Sequence, residues 1–103
     1  MTDRELLELA AKAAGFQNLL QRQSPRWSNG HYWNPLTDDG DALRLAATLG
    51  ISVSYDRLDQ GVEERRVFAV WGRGVELEHL GADRYAATRR AIVKAAAEIG
   101  RKA

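Results

Sequence analysis

The sequence predicts an α+β fold, in which a three-stranded antiparallel meander carries helices on one face, in the order ααβββα. Two observations support this prediction. Three stretches repeat apolar residues at helical spacing and have capping residues at their ends. Between the second and third stretches, three short segments alternate apolar and polar residues. With 103 residues, of which 45% are hydrophobic, we expect one domain spanning residues 1–103.

The first helix is predicted over about residues 3–14. Thr2 and Glu5 have the spacing of a capping box, and Gly15 is a typical helix stop. Residues 16–33 then form a long connection rich in polar residues and aromatic side chains. Connections of this length are often functional or mobile, although Asn29-Gly30 could instead close a small hairpin.

The second helix is predicted to begin near Thr37 or Asp38 and to end at Gly50. Its first turn is acidic, with Asp38, Asp39 and Asp41 around Gly40. Carboxylates in a first turn cap free N–H groups and complement the helix dipole. A calcium loop would need a distant glutamate instead of a helix start. We therefore interpret the acidic cluster as a cap and predict no metal site.

The strands are predicted over residues 51–55, 66–71 and 75–79, and Gly72-Arg73-Gly74 predicts a tight hairpin between the last two. We favour a two-residue loop, which gathers four apolar side chains on one face: Phe68, Val70, Val75 and Leu77. The other face then holds Ala69, Trp71, Glu76 and Glu78. A three-residue loop would reverse the pairing and bury Trp71. We expect the helices to cover the more apolar face. Ala69 and Trp71 would then form an exposed patch for a symmetric dimer.

The last helix is predicted from about Arg84 to Ile99, with Asp83 as its cap and Gly100 after its end. Its high alanine content gives it high intrinsic propensity. Its predicted buried face contains Tyr85, Thr88, Ile92, Ala95, Ala96 and Ile99. Arg89 lies at the margin of this face, whereas Arg90 points further outward.

Composition narrows the functional classes. There is no cysteine, which excludes disulfides and thiolate metal sites, and the two histidines are isolated. The net charge of +1 argues against a nucleic-acid partner. There is no phosphate-binding glycine loop, nucleophile elbow or zinc motif, so we expect neither catalysis nor a cofactor. No membrane-length apolar run or secretory signal is present, which favours a cytoplasmic location.

Two side chains have competing interpretations. Trp33 either covers one end of the core or joins Trp27 and Tyr32 in a surface for stacking a planar ligand. Arg89 either makes an interhelical salt bridge, for example to Asp41, or presents its guanidinium to an anionic ligand. In the second case Arg44 could join it.

Two blocks of the sequence resemble small phage and prophage proteins. They are residues 33–45, WNPLTDDGDALRL, and residues 85–93, YAATRRAIV. The layout, with an Asn-Pro segment, an Asp-Ala helix, a short sheet and a final arginine-bearing helix, is more distantly similar to NinX-like phage proteins. The resemblance covers most of the chain. Residues 16–32 depart from it, because these proteins often have a shorter link there.

The resemblance implies a small phage accessory protein in the host cytoplasm, and such proteins commonly modulate host machinery or counter host defence. We hypothesise that it binds an anionic small molecule and sequesters a nucleotide-derived host immune signal. In this hypothesis Trp33 and Tyr85 stack, Asn34 bonds a base or sugar, and the phosphate ligands are Arg44, Arg89 and Arg90. The alternative is an interaction module that inhibits or adapts a host protein through the aromatic segment 16–33.

Overall fold

The structure is a computed structural model that describes residues 1–15, 33–56 and 65–102. The elements are α1 (Asp3–Ala14), α2 (Asp39–Leu49), β1 (Ser52–Tyr55), β2 (Arg66–Trp71), β3 (Gly74–His79) and α3 (Arg84–Lys102). The strands form one antiparallel sheet in the order β1-β2-β3. This confirms the predicted α+β fold with the order ααβββα. Most of the predicted aromatic loop and the alternative hairpin at Asn29-Gly30 fall outside the described residues.

The helix ends follow local sequence signals. The Thr2 hydroxyl oxygen accepts a hydrogen bond from the Glu5 backbone N–H at 3.1 Å, and Gly15 ends α1 with φ of 87°. Asp38 is the N-cap of α2, and its carboxylate accepts from the Asp41 backbone N–H at 2.8 Å. The capping interpretation is therefore confirmed for Asp38.

The hairpin has the predicted register, but the helices cover the opposite face of the sheet. Phe68 pairs with Leu77 and Val70 with Val75, as a two-residue loop requires. Yet Val70, Val75 and Leu77 are 40%, 52% and 40% exposed, whereas Ala69 is fully buried. Trp71 is half-buried and packs against the core. The prediction that the more apolar face is covered is wrong, and so is the exposed patch of Ala69 and Trp71.

Close packing and ion pairing explain why the helices pack against the face of the sheet that contains Ala69 and Trp71. We call this face the covered face. Ala69 is small, and the buried residues of α3 are mostly alanines, so the helix can lie close to the sheet. The two glutamates of this face are paired across that contact. Lys94 of α3 places its Nζ 2.6 Å from a Glu78 carboxylate oxygen and 3.5 Å from one of Glu76. The glutamates therefore do not require a solvent-exposed face.

The last helix continues through Gly100 to Lys102, so the predicted stop at this glycine is wrong. Gly100 is buried where α3 crosses α1. A Cβ atom added there would lie 2.0 Å from the Leu9 carbonyl oxygen. This glycine therefore permits a close helix crossing. The prediction that Tyr85 lies on the buried face of α3 is also wrong, because its side chain is 65% exposed.

Candidate ligand-binding groove

An open groove of about 350 Å³ lies between α2, β1 and α3. Its lining residues are Asp39, Ala42, Leu43, Val53, Tyr55, Tyr85, Thr88, Arg89 and Ile92. Small-molecule sites typically have volumes from about 300 Å³ upward, with mostly apolar walls and a few polar groups. We call this feature the binding groove.

Two tyrosines supply the aromatic surface of the binding groove. Tyr55 is at the end of β1, and Tyr85 is in the first turn of α3; both are exposed. The Tyr55 hydroxyl lies 2.8 Å from the Thr88 hydroxyl oxygen. Since Thr88 uses its single hydroxyl proton on the Arg84 carbonyl at 2.7 Å, Tyr55 is the donor. This bond anchors the Tyr55 ring at its polar end, and the residue remains 49% exposed.

Arg89 brings a mostly buried charge to the edge of the binding groove. Its side chain is only 16% exposed. Its Nε donates to the Leu36 carbonyl oxygen at 2.8 Å, and its Nη1 donates to the Asp39 carboxylate at 2.6 Å. The second contact is an interhelical salt bridge, although its acidic partner is Asp39 and not Asp41. Among the described residues, the other N–H donors of this guanidinium make no hydrogen bond.

The segment from Trp33 to Leu36 holds the carbonyl that orients Arg89. The Asn34 side-chain oxygen accepts from the Leu36 backbone N–H at 3.1 Å. The Asn34 backbone N–H in turn donates to Asp41 at 2.8 Å, and Asp41 is fully buried. These bonds fix the turn that begins α2 and place the Leu36 carbonyl toward α3. The two sequence blocks, residues 33–45 and 85–93, therefore contact each other through Arg89.

The six residues predicted to bind a ligand are not gathered into one site. Tyr85 and Arg89 line the binding groove. Trp33 is 3% exposed and belongs to the core, and Asn34 is engaged in the turn before α2. Arg44 lies beside Asp41, with a 3.4 Å distance between Nη1 and Oδ1.

Arg90 points away from the binding groove, and its guanidinium donates to Asp3 of α1 at 3.0 Å. Conversely, sequence reasoning missed Tyr55 and Thr88 as groove residues. The alternation of β1 places Tyr55 on the helix-facing side of the sheet, which is the signal that could have indicated it.

Two other features, a metal site and a membrane-spanning helix, are absent from the described part of the chain. No group of three or more His, Asp or Glu side chains there is arranged to hold a metal ion. None of the helices in these ranges combines the length and apolar character that a membrane crossing needs.

No protein-family model matches this chain, and neither a curated protein nor a solved structure is significantly similar to it. The resemblance to phage proteins therefore stays a prediction from the two sequence blocks.

Proposed function

We propose that this protein is a non-catalytic binding protein whose groove takes a planar, anionic small molecule. The observation that carries the proposal is the position of Arg89. It is a mostly buried cation, some of whose N–H donors make no hydrogen bond to any described residue, in a groove that also presents two exposed tyrosines. An anion reaching this guanidinium would meet it in a partly desolvated setting, where the attraction is stronger than in water.

The existing partner of Arg89 can give way to such an anion. Asp39 is 71% exposed, so its carboxylate can return to water when a ligand anion replaces it at Arg89. The Leu36 carbonyl would keep its hydrogen bond to Nε and hold the guanidinium in place. A ligand phosphate or carboxylate would then exchange with Asp39 at little cost.

The other residues that line the binding groove suit a flat ring in the ligand. Val53 and Ile92 provide aliphatic surface in the binding groove, and Tyr55 and Tyr85 provide aromatic faces for stacking. A flat ring joined to a negative charge is the chemistry of a nucleotide. The phage resemblance makes nucleotide-derived host immune signals the first class to test, with sequestration as the activity and no chemical step required.

A thermal-shift screen tests this proposal, with cyclic dinucleotides, cyclic ADP-ribose isomers, AMP and ATP as probes. A ligand at about 100 times its Kd should stabilise the protein by about 2.7 kcal/mol, or several degrees in Tm. We expect Arg89→Ala to abolish the shift, because it removes the only cation lining the binding groove among the described residues.

Arg90→Ala is the matched control, since it removes the same side chain from the next position and breaks only the contact with Asp3. It should keep the shift. Equal loss of the shift in both variants would contradict the assignment of Arg89.

One observation favours a second candidate function, an interaction module for a host protein. The same groove presents two exposed tyrosines, Tyr55 and Tyr85, together with Arg89, and protein hot spots are enriched in tyrosine and arginine. A screen in which none of the probes shifts the Tm would favour this function over nucleotide binding.

A further inference from the structure

The binding groove contains one positive and one negative side chain, and the two are paired. Of the side chains that are charged at neutral pH, the described part of the chain contributes only Arg89 and Asp39 to the lining. The Arg89 Nη1 atom lies 2.6 Å from the Asp39 Oδ1 atom. The groove is therefore close to neutral before a ligand binds. A ligand anion that replaces Asp39 at Arg89 leaves two negative groups beside a single cation.

The Asp39 carboxylate stays near the ligand after this exchange. Asp39 is the first residue of α2, and the Asp38 cap fixes that turn by accepting from the Asp41 backbone N–H at 2.8 Å. The Asp39 side chain can therefore rotate into water, but it remains at the rim of the binding groove. Like charges a few ångströms apart at a protein surface repel strongly enough to change a binding constant by roughly tenfold or more.

The helix N-termini beside the binding groove are capped, so they do not provide a site for a second negative charge. Phosphates bind at helix N-termini through free backbone N–H groups. At the start of α2, the Asp38 carboxylate takes the Asp41 N–H. At the start of α3, the Asp83 carboxylate accepts from the N–H groups of Tyr85 and Ala86 at 3.0 Å and 3.1 Å. Both caps are themselves carboxylates, which repel a phosphate.

We propose that the binding groove selects ligands whose flat ring carries a single negative charge, and that Asp39 sets this charge limit. For a nucleotide, the preferred group is then a phosphodiester, as in a cyclic mononucleotide, and not a phosphate monoester or a polyphosphate. The inference rests on the proposed function, because it concerns the same groove and the same Arg89. Asp39 allows one anion to exchange at Arg89 and repels a second.

Isothermal titration calorimetry with cyclic AMP, AMP and ATP tests the charge limit, because the three ligands share adenosine and differ mainly in charge. A phosphate monoester has a second pKa of about 6. At about pH 8, cyclic AMP therefore carries one negative charge, AMP carries close to two and ATP carries more. We expect the wild type to bind cyclic AMP roughly tenfold more tightly than AMP or ATP.

Asp39→Asn replaces the carboxylate with an uncharged amide of the same shape. We expect it to tighten the binding of AMP and ATP more than that of cyclic AMP, so that the preference falls to within roughly threefold. The Asp39 side chain is 71% exposed, so the fold should tolerate the change, and thermal unfolding of the ligand-free variant checks this. Asp39→Ser removes the same charge and should show the same loss of preference.

Asp3→Asn is the matched control. Asp3 is also an exposed carboxylate in the first turn of a helix, and it is also paired with an arginine of α3, since its Oδ1 atom lies 3.0 Å from the Arg90 Nη1 atom. It is outside the lining of the binding groove. The variant changes the net charge of the protein by the same amount and should keep the wild-type preference for cyclic AMP.

Three results would overturn the inference. The first is a wild type that binds AMP or ATP as tightly as cyclic AMP, and the second is an unchanged preference in Asp39→Asn. If either occurs while binding still requires Arg89, the proposed function stands and only the charge limit fails. The third is that none of the three ligands binds the wild type or Asp39→Asn, in which case the proposed nucleotide site and the charge limit fail together.

Discussion

Gly100→Ala is expected to destabilise the protein by about 3 kcal/mol, although alanine is the better helix former. In an exposed helix interior this substitution would stabilise by about 1 kcal/mol. Here the new Cβ would lie 2.0 Å from the Leu9 carbonyl oxygen and 3.3 Å from the Ala13 nitrogen. Both are backbone atoms of α1, so no side-chain rotation relieves the overlap and the helices must separate. Urea unfolding measures the change.

Gly40→Ala is the matched control, because Gly40 is also helical but its added Cβ would meet only side-chain atoms. These are Arg44 Nη1 and Asp38 Oδ2, both at 3.2 Å. The exposed Arg44 side chain can move away, and the capping oxygen of Asp38 needs to give by only a few tenths of an ångström, so the free energy of unfolding should change by no more than about 1 kcal/mol. If Gly100→Ala proved as stable as the wild type, α1 and α3 would not cross as described.

Asp41→Ala is expected to cost about 2–3 kcal/mol of stability. Asp41 is fully buried, and its carboxylate accepts from the Asn34 backbone N–H at 2.8 Å. Truncation leaves that donor unpaired in a part-buried turn and removes a charge-assisted hydrogen bond. Because the same turn places the Leu36 carbonyl, ligand binding at Arg89 should weaken as well. Chemical unfolding measures the first effect.

Asp39→Ala is the control for this prediction. It removes a carboxylate from the same helix turn, but this side chain is exposed and its salt bridge should contribute at most about 1 kcal/mol. Similar losses of stability in the two variants would contradict the structural role of the buried Asp41.

The features that were predictable from sequence depend on local chemistry. Thr2, Gly15 and Asp38 act within one helical turn, so their spacing was sufficient to place the helix ends. The hairpin register likewise depends on the short Gly72-Arg73 loop. The predicted helix stop at Gly100 failed, because this residue is helical. A glycine is needed there only because α1 crosses α3 at that point.

The covered face of the sheet could not be predicted from apolar content. The sequence prediction placed Glu76 and Glu78 on the face away from the helices. It could not see that Lys94, on another element, lies within ion-pair distance of both carboxylates. Beside this ion pairing, the small Val67 and Ala69 allow close approach of the alanine-rich helix.

The candidate site was predicted in part. The position of Arg89 at the margin of the core followed from helical periodicity, and an interhelical carboxylate partner was one of its two interpretations. The example given for this partner, Asp41, was wrong. The Asp41 carboxylate accepts a hydrogen bond from the Asn34 backbone N–H, and Arg89 pairs with Asp39 instead. Tyr55 was missed because its contact with Thr88 joins residues 33 positions apart.

In the proposed function, Arg89 and the two tyrosines form one ligand site. The most direct test is a ¹H–¹⁵N NMR titration of the wild type with the nucleotide that gives the largest thermal shift. We predict that the perturbed amides cluster at Tyr55, Tyr85, Thr88 and Arg89, around the binding groove. Chemical-shift perturbations centred on the sheet face opposite the helices, or no perturbation above the noise near Arg89, would contradict this assignment.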